Sequence, residues 1–226
     1  MKTLILIAHP EIENSTTQKF FQTSLVNFEN ITYHPISIPI NIEEEQQLLR
    51  SNDRIILQFP LFWYSAPALL KTWQDTVLST SFINRASLKG KELGIVVTTG
   101  SAKKDFGAGN PERFTISEIL RPYEAMANKA MMSYLPPLPV YQFLYMKPIN
   151  QQRLLVDYQQ YVTNPNFSHF NGQVSWFKKQ IQKKITTQDS KNTSTLETIL
   201  DTISQNQEEL DDLRWNLDQI KKDDDN

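Results

Sequence analysis

The sequence predicts an α/β protein built on a doubly wound, parallel, five-stranded sheet. Three short apolar runs, at residues 2–8, 55–59 and 92–98, have the composition of strands that are buried on both faces of a sheet. Segments with helical spacing of apolar residues lie between them, and strands that alternate with helices build parallel sheets. Two weaker segments, residues 31–38 and 131–143, complete the five strands.

Proline and capping residues mark the limits of several predicted elements. Pro35 interrupts the 31–38 segment, which favours an edge position because proline cannot donate to a strand ladder. Asn41 can cap the segment that follows, and Pro67 suits the first turn of the next helix. Helices are predicted at residues 15–28, 41–50, 67–78, 115–129, with a bend near Pro122, and 150–162.

Length and composition exclude several classes of protein. The 226 residues, 39% of them apolar and 21% charged, suit a soluble globular protein that carries some polar segments. A formal net charge of -2 gives no bias toward nucleic acid or an anionic membrane, so no nucleic-acid partner is predicted. The absence of cysteine excludes disulfides and thiol catalysis, and three well-separated histidines predict no metal site. With no membrane span and no visible signal peptide, a cytoplasmic location is expected.

An aromatic-rich turn follows the strand that begins at Ile55. Residues 59–64, FPLFWY, contain four aromatic side chains in six positions. Open α/β sheets bind their ligands at the carboxyl ends of the strands, so this turn predicts a site for a flat, conjugated ligand. The alternative is that these aromatic side chains fill the top of the core.

Hydroxyl side chains begin the first predicted helix. Ser15, Thr16 and Thr17 precede Gln18, and a serine three residues before a glutamine is a capping box. The same geometry offers free N–H groups and the positive end of the helix dipole to a phosphate, and both interpretations stay open. The chain has neither a G-x-G-x-x-G motif nor a P-loop. The phosphate of a mononucleotide, held by hydroxyls and N–H groups, remains compatible with the sequence.

A third strand end also carries small residues. The 92–98 strand runs into Thr98, Thr99, Gly100 and Ser101, and glycine lets the main chain approach a ligand closely. Three strand ends, after residues 8, 59 and 98, therefore carry hydroxyls, aromatic rings and a Thr-Thr-Gly turn in that order.

Together these motifs resemble the flavodoxin-like NAD(P)H:quinone oxidoreductases, especially short bacterial members that include the ancillary reductases of glutathione-gated potassium efflux systems. The resemblance rests on AHPEIENSTTQ at 8–18, QFPLFWYSAPALLKTWQDTVL at 58–78 and LKGKELGIVVTTGSAKKDFGAG at 88–109, with weaker support from YLPPLPVYQF at 134–143. It covers about residues 1–162 and implies a flavodoxin-like fold. It also implies non-covalent FMN, in preference to FAD, and ping-pong hydride transfer from NAD(P)H through FMN to a quinone or similar acceptor.

The resemblance assigns roles to residues at the three strand ends. It places Trp63 and Phe106 beside the reacting groups as candidate catalytic residues. Phe106 stands where these reductases often have tyrosine and Glu112 near where some have histidine, which leaves the proton source open. Gln18 replaces a usual asparagine, and Ser101 a usual glycine. The implied FMN-binding residues are His9, Ser15, Thr16, Thr17 and Gln18 at the phosphate, Pro60, Leu61, Phe62 and Trp63 along the isoalloxazine, and Thr98, Thr99, Gly100 and Ser101 at its other edge.

Two other functions fit parts of the sequence. A regulatory or binding module would keep the fold with little turnover and engage a partner through the C-terminal helix. This alternative is motivated by the residues at positions 106 and 112 and by the tail. A simple electron carrier is disfavoured, because flavodoxin-type carriers tend to be strongly acidic and this chain has a net charge of only -2.

The tail is predicted to be separate from the flavin-binding domain at residues 1–162. Residues 163–193 form a connecting segment, and residues 194–221 predict an amphipathic helix with coiled-coil spacing. Its apolar residues alternate by three and four over four heptads, with Asn206 as the one interruption. Self-association of this helix is expected, and docking on its own domain is the alternative. The resemblance itself implies a homodimer of the domain, and tails that joined dimers would build a tetramer.

Overall fold

The computed structural model describes residues 1–187 and 193–224. It divides the chain into two units, Met1–Thr163 and Asn164–Asn226. The sheet belongs to the first unit. The connecting segment predicted at residues 163–193 contains a helix, and residues 188–192 of that segment lie outside the described residues.

The first unit is built on a single parallel sheet. Its strands are β1 (Thr3–Ile7), β2 (Ile31–Pro35), β3 (Arg54–Pro60), β4 (Glu92–Thr99), β5 (Ser133–Tyr134) and β6 (Leu138–Tyr141). Their order across the sheet is β2-β1-β3-β4, and both β5 and β6 pair with the free side of β4. This order confirms the predicted doubly wound sheet. Strand β2, which ends in Pro35, lies at an edge as predicted.

Two prolines split the fifth strand. Strand β5 pairs with the start of β4, at Glu92, whereas β6 pairs with its end, where Tyr141 is opposite Thr99. Pro136 and Pro137 lie between the two strands, and proline lacks the N–H group that a continuous ladder requires. The expected short last strand is therefore two shorter ones, and the second brings the chain to the carboxyl end of β4.

The predicted helices of the first unit are present, with two differences. They are α1 (Thr16–Ser24), α2 (Ile42–Ser51), α3 (Ala68–Val77), α4 (Thr80–Asn84), α5 (Ile116–Ile119), α6 (Arg121–Lys129) and α7 (Pro148–Thr163). The helix predicted at 115–129 breaks at Leu120, and Pro122 lies in the first turn of α6. The short helix α4 was not predicted.

Successive strand residues face opposite sides of the sheet, and helices cover both. In β3, Leu57 and Phe59 belong to a hydrophobic cluster that includes Trp73 of α3, and all three are fully buried. Gln58 points to the other face, where its Oε1 accepts a 2.8 Å hydrogen bond from the Tyr158 hydroxyl of α7. Burial of both faces explains why β3 reads as a continuous apolar run.

Gly94 determines how closely α7 packs on the sheet. A Cβ at this position would lie 2.8 Å from the hydroxyl oxygen of Tyr161, closer than real contacts allow. The approach lets that hydroxyl accept a 2.9 Å hydrogen bond from the backbone N–H of Ile95. Glycine is therefore required here by packing rather than by a turn.

The described residues of the second unit form two helices, α8 (Phe170–Thr187) and α9 (Thr193–Asp224). They pack against each other, and Lys178 Nζ donates a 2.9 Å hydrogen bond to Gln207 Oε1. Helix α9 contains the whole helix predicted at 194–221, and its partner within the chain is α8. Across the two described ranges, no helix combines the length and apolar character that a bilayer crossing needs.

Candidate functional site

A cleft of about 210 Å³ opens at the carboxyl ends of the parallel strands. It is bordered by the first turn of α1, the segment after β3, the end of β4 and the segment after β6. The three strand ends that the sequence singled out therefore meet at one place. The lining residues are Thr17, Pro60, Leu61, Phe62, Thr98, Thr99, Gly100, Gln142, Phe143, Leu144 and Tyr145.

The register of the sheet brings these segments together. Pro60 of β3 is opposite Thr98 of β4, and the N–H of Leu61 donates a 2.8 Å hydrogen bond to the Thr98 carbonyl. The N–H of Gln142 donates an equally long bond to the Thr99 carbonyl. These two bonds hold the turn after β3 and the segment after β6 against the end of β4.

The start of α1 combines a helix cap with unused donors. Ser15 caps the helix, since its Oγ accepts a 3.3 Å hydrogen bond from the N–H of Gln18. The N–H groups of Thr16 and Thr17 have no acceptor inside the helix, because the first N–H groups of any α-helix lack one. The cap and an anion site are therefore compatible in the same turn.

The side chain of Gln18 lies inside the fold. It is only 2% exposed, and its Oε1 accepts hydrogen bonds from Gln58 Nε2 at 2.5 Å and from the Tyr33 hydroxyl at 3.1 Å. Because Gln58 also bonds Tyr158, this buried network ties α1 to β2, β3 and α7. The Gln18 side chain therefore supports α1 from inside, and the place of Gln18 beside a phosphate stays a prediction.

The aromatic turn after β3 is tightly folded and exposed. Phe62 and Ser65 exchange two backbone hydrogen bonds, 2.8 and 3.0 Å long, around Trp63 and Tyr64, whose φ angles are 48° and 61°. Such turns normally use asparagine and glycine, because a Cβ in this conformation costs about 1–2 kcal/mol per residue. The Trp63 residue is 94% exposed, and of the four aromatic residues Phe59 alone lies in the core. A core-filling role for Trp63 is therefore excluded.

One carboxylate connects this turn to the end of β4. Glu112 accepts a 2.8 Å hydrogen bond from the Tyr64 hydroxyl at Oε2 and a 3.1 Å bond from Ser101 Oγ at Oε1. We call these three side chains the Tyr64–Glu112–Ser101 bridge. The hydrogen bond to Glu112 and the negative charge of its carboxylate raise the pKa of Tyr64 above its ordinary value. Sequence reasoning identified Glu112 only as a departure from the family pattern.

Two further predicted residues, His9 and Phe106, have contacts of their own. His9 Nδ1 accepts a 3.1 Å hydrogen bond from the N–H of Glu11, and burial lowers the pKa of His9, so the neutral ring carries its proton on Nε2. Phe106 packs on Tyr141, with ring centroids 5.6 Å apart, and against the core. The predicted residues that do not line the cleft are His9, Ser15, Thr16, Gln18, Trp63, Ser101 and Phe106.

Sequence reasoning missed the lining residues at 142–145. Gln142 has a positive φ of 47°, which turns the chain into the cleft after β6. The ring of Phe143 contacts Phe20 of α1, with centroids 4.9 Å apart, whereas Leu144 and Tyr145 are exposed. The available signal was the YLPPLPVYQF segment at 134–143, whose prolines predicted a short strand but no site.

A larger cavity of about 640 Å³ lies beside the same aromatic turn. Tyr64 and Ser65 border it, together with residues of α3 to α6 that include Leu78 and Met126. The smaller cleft is the better candidate site, because strand ends, hydroxyls and N–H groups converge on it. Within residues 1–187 and 193–224, no three histidine or acidic side chains are grouped as metal ligands.

Known proteins share the features of the first unit. A family model described as flavodoxin-like fold matches residues 1–162. The uncharacterized NAD(P)H oxidoreductase YrkL of Bacillus subtilis is 38% identical over 169 residues, which are 70% of this chain and 97% of the relative. The chain belongs to the flavodoxin-like NAD(P)H:quinone oxidoreductase family. The family match ends at residue 162, before the second unit begins.

Solved structures are also similar to the chain. A crystal structure of an NADPH-quinone reductase from P. pentosaceus is 60% identical, covers 73% of this chain and 99% of that chain, and has a TM-score of 0.72. The general stress protein 14 of Treponema denticola, solved in complex with FMN, is 29% identical. That match covers 71% of this chain and 97% of the other, with a TM-score of 0.65.

Proposed function

We propose that this oxidoreductase binds FMN and transfers hydride from NAD(P)H to a quinone or similar acceptor in a ping-pong reaction. The observation that carries the proposal is the convergence of three strand ends on one cleft. Similarity to a protein solved with FMN supports the choice of cofactor. FMN is preferred to FAD because the chain offers one phosphate-binding turn and no dinucleotide motif.

The residues present fit a flavin mononucleotide in two places. Thr16 and Thr17 offer hydroxyls and N–H groups at the positive end of α1, which is a donor set suited to a phosphate. Near the opposite side of the cleft, a Cβ on Gly100 would meet no atom within 4 Å, and the φ of Gly100 is not in the left-handed region. Neither packing nor backbone conformation requires glycine there, whereas close approach of a flat ring explains it.

The chain's own residues position the reacting groups in this proposal. Bound FMN supplies the hydride chemistry, so the protein needs no nucleophile. Main-chain atoms from Pro60 to Phe62 and from Thr98 to Gly100 line the cleft and would hold the ring system between them. The exposed ring of Trp63 stands at the rim, where it is available to an acceptor.

The bridge at the rim gives a candidate proton holder. Phe106 has no titratable group, and its ring is engaged with Tyr141. The Tyr64 hydroxyl is the titratable donor that lies closest in the chain to Trp63, and it carries its proton at neutral pH, since its pKa lies above the ordinary value of 10.0. In our proposal Tyr64 holds this proton at its hydroxyl, with Glu112 as the acceptor that orients it.

A homodimer of the first unit and a cytoplasmic location belong to the same proposal. The apolar cavity next to Tyr64, with Leu78, Ile83 and Met126 in its lining, is a surface that a second copy could cover. The exposed Trp63 would then stand beside the subunit contact. The family resemblance is the main support for this assembly.

Purified full-length protein tests the proposed function. FMN is expected in equimolar amount, with a yellow absorbance that NADPH bleaches without oxygen and that added quinone restores. Separate measurement of these two half-reactions checks the ping-pong order. Colourless protein that takes up no added FMN would refute the cofactor, and bound FMN that NADPH does not bleach would favour the regulatory module.

A further inference from the structure

Helix α9 carries two apolar rows at heptad spacing. The helix is long enough for four heptads, and such spacing keeps each row on one side of a helix that packs against another. The a positions are Leu196, Ile203, Leu210 and Leu217, and the d positions, which we call the d row, are Ile199, Asn206, Leu213 and Ile220.

Helix α8 covers the a positions in the first half of α9, where Leu196 and Ile203 are half-buried, whereas Leu210 and Leu217 are 38% and 55% exposed. Two hydrogen bonds mark the contact: Lys178 Nζ donates to Gln207 Oε1 at 2.9 Å, and the Arg214 guanidinium donates to Asn171 Oδ1 at 3.4 Å. Gln207 and Arg214 occupy e positions, which adjoin the a positions on the surface of a helix. The d row lies on the other side of the a positions, away from α8.

The d row is exposed along its length. Ile199 is 41%, Leu213 59% and Ile220 58% exposed, and Asn206 is exposed as well. Single apolar residues on a surface are ordinary, but a continuous row at helical spacing is typical of an interaction site. Among the residues that the structure describes, α8 and α9 therefore leave the d row uncovered, with Leu210 and Leu217 exposed beside it in the second half of α9.

We propose that the d row pairs with the d row of a second copy of this chain, with the two α9 helices parallel and in register. Asn206 favours this occupant, because it is the one polar residue among the eight a and d positions. In a parallel, in-register pair, Asn206 faces Asn206 of the second copy, and the two amides can hydrogen-bond each other. Against an apolar side chain, a buried amide would be left unsatisfied.

Charge complementarity selects the same arrangement. In a parallel pair, each g position faces the e position five residues later on the other helix. Glu209 occupies g and Arg214 occupies e, so the pair forms two attractive contacts across the interface. The other g positions between residues 195 and 216 carry no charge and add no repulsion. To reach Glu209 of the second copy, Arg214 gives up two long contacts, one of 3.4 Å with Asn171 and an exposed one of 3.5 Å with Asp211.

Engineered thiols test the contact in the full-length chain, which has no cysteine of its own. Asn206→Cys and Leu213→Cys each place one thiol on the d row. Trp215→Cys is the matched control, because Trp215 is 64% exposed and occupies an f position on the far side of α9. A disulfide needs Cα atoms about 4.4–6.8 Å apart, so under mild oxidation only the two d-row variants should double in mass on a non-reducing denaturing gel.

Two outcomes would overturn the proposal. One is cross-linking of the d-row variants that does not exceed the Trp215→Cys control. The other is cross-linking only when Asn206→Cys is mixed with Leu213→Cys, which would mean an antiparallel pair. Circular dichroism of each variant before oxidation verifies that the helices are intact.

A charge reversal tests the in-register pair in the Leu213→Cys background. Glu209→Lys should slow disulfide formation, because it brings like charges together across the interface. Adding Arg214→Glu should restore the rate, since the attraction is then rebuilt with exchanged signs. A double variant that stays as slow as Glu209→Lys alone would contradict the parallel register.

Discussion

The Tyr64 hydroxyl donates a 2.8 Å hydrogen bond to Oε2 of Glu112, 48 residues further along the chain. The other oxygen of the same carboxylate accepts the Ser101 hydroxyl at 3.1 Å. One side chain thereby joins the turn after β3 to the end of β4, and both of these segments border the candidate cleft. The bridge adds a side-chain link to the backbone hydrogen bond between Leu61 and Thr98, which joins the same two segments.

Removing the charge of Glu112 should lower the pKa of Tyr64. The hydrogen bond to this carboxylate and its negative charge both disfavour the phenolate, so Glu112→Gln is expected to shift the Tyr64 pKa toward its ordinary value of 10.0. A spectrophotometric pH titration measures phenolate, and subtracting the curve of Tyr64→Phe isolates Tyr64. Glu118→Gln, at a carboxylate bonded to Thr115, is the control that should leave Tyr64 unchanged. An equal Tyr64 pKa with and without Glu112 would mean that the bridge does not form in solution.

Two substitutions at Trp63 separate backbone strain from function. Trp63→Gly and Trp63→Ala both remove the ring, but only glycine adopts a φ of 48° without a Cβ penalty. The free energy of unfolding should be about 0.5–1 kcal/mol higher for the glycine variant than for the alanine variant. Turnover with a quinone should fall by the same factor in both, because both lose the exposed ring.

Denaturant unfolding and steady-state quinone reduction measure these two effects. Trp215→Ala, at another exposed tryptophan, is the control and should change neither quantity. Normal turnover in both Trp63 variants would contradict the proposed role of the ring at the acceptor site.

Local patterns predicted most of the fold, because each depends on residues that are neighbours in the chain. Ser15 and Asn41 cap α1 and α2, with side-chain oxygens that accept hydrogen bonds from N–H groups three residues later. Pro35 marked the edge strand. Helix α4, Thr80–Asn84, escaped prediction because its five residues are too few to show a periodicity.

Contacts between distant segments account for what sequence reasoning missed. The burial of Gln18 depends on Gln58, which lies 40 residues away, and the hydroxyls near Gln18 in the sequence gave no sign of it. The pairing of His34 with Glu45 has no local signature either, since the two residues lie on a strand and a helix. Residues that act through such contacts become visible only when the packing is known.

Substitutions in the first turn of α1 should separate cofactor binding from helix capping. Thr17→Val keeps the shape of the side chain but removes a hydroxyl that lines the cleft. The free energy of FMN binding should become less favourable by about 1.5–3 kcal/mol, the value of a hydrogen bond to a charged group. The free energy of unfolding should not change. Ser15→Ala should weaken FMN binding and also cost about 0.5–2 kcal/mol of stability, because Ser15 caps the helix.

Fluorescence titration of FMN into apoprotein measures affinity, and denaturant unfolding of the apoprotein measures stability. Thr23→Val, an exposed hydroxyl near the other end of α1, is the matched control and should affect neither. Unchanged FMN affinity in Thr17→Val would move the phosphate to another part of the site.

A polar contact between β2, α2 and α3 should make stability depend on pH. His34 Nε2 lies 2.7 Å from Glu45 Oε1, and the Trp73 indole N–H donates to Glu45 Oε2 at 2.9 Å. The hydrogen bond to Glu45 raises the pKa of His34, although burial acts against it. Burial raises the pKa of Glu45, but hydrogen bonds from His34 and Trp73 outweigh burial, so that pKa is lowered.

The two shifts act at opposite ends of the pH range. The stability contributed by protonated His34 is complete below its ordinary pKa of 6.5 and is lost as pH rises through the raised value. The stability contributed by ionised Glu45 is present above its ordinary pKa of 4.5 and is lost as pH falls through the lowered value. Between these ordinary values both contributions are present together.

His34→Gln tests the upper limit of this range, because glutamine keeps a donor for Glu45 but does not titrate. Above pH 6.5, the free energy of unfolding of the parent protein should fall more steeply than that of His34→Gln. Denaturant unfolding at a series of pH values measures both profiles. His9, whose lowered pKa acts in the opposite direction, is present in both proteins, so the difference between the profiles isolates His34. A His34→Gln profile that matches the parent profile would place the pH dependence elsewhere.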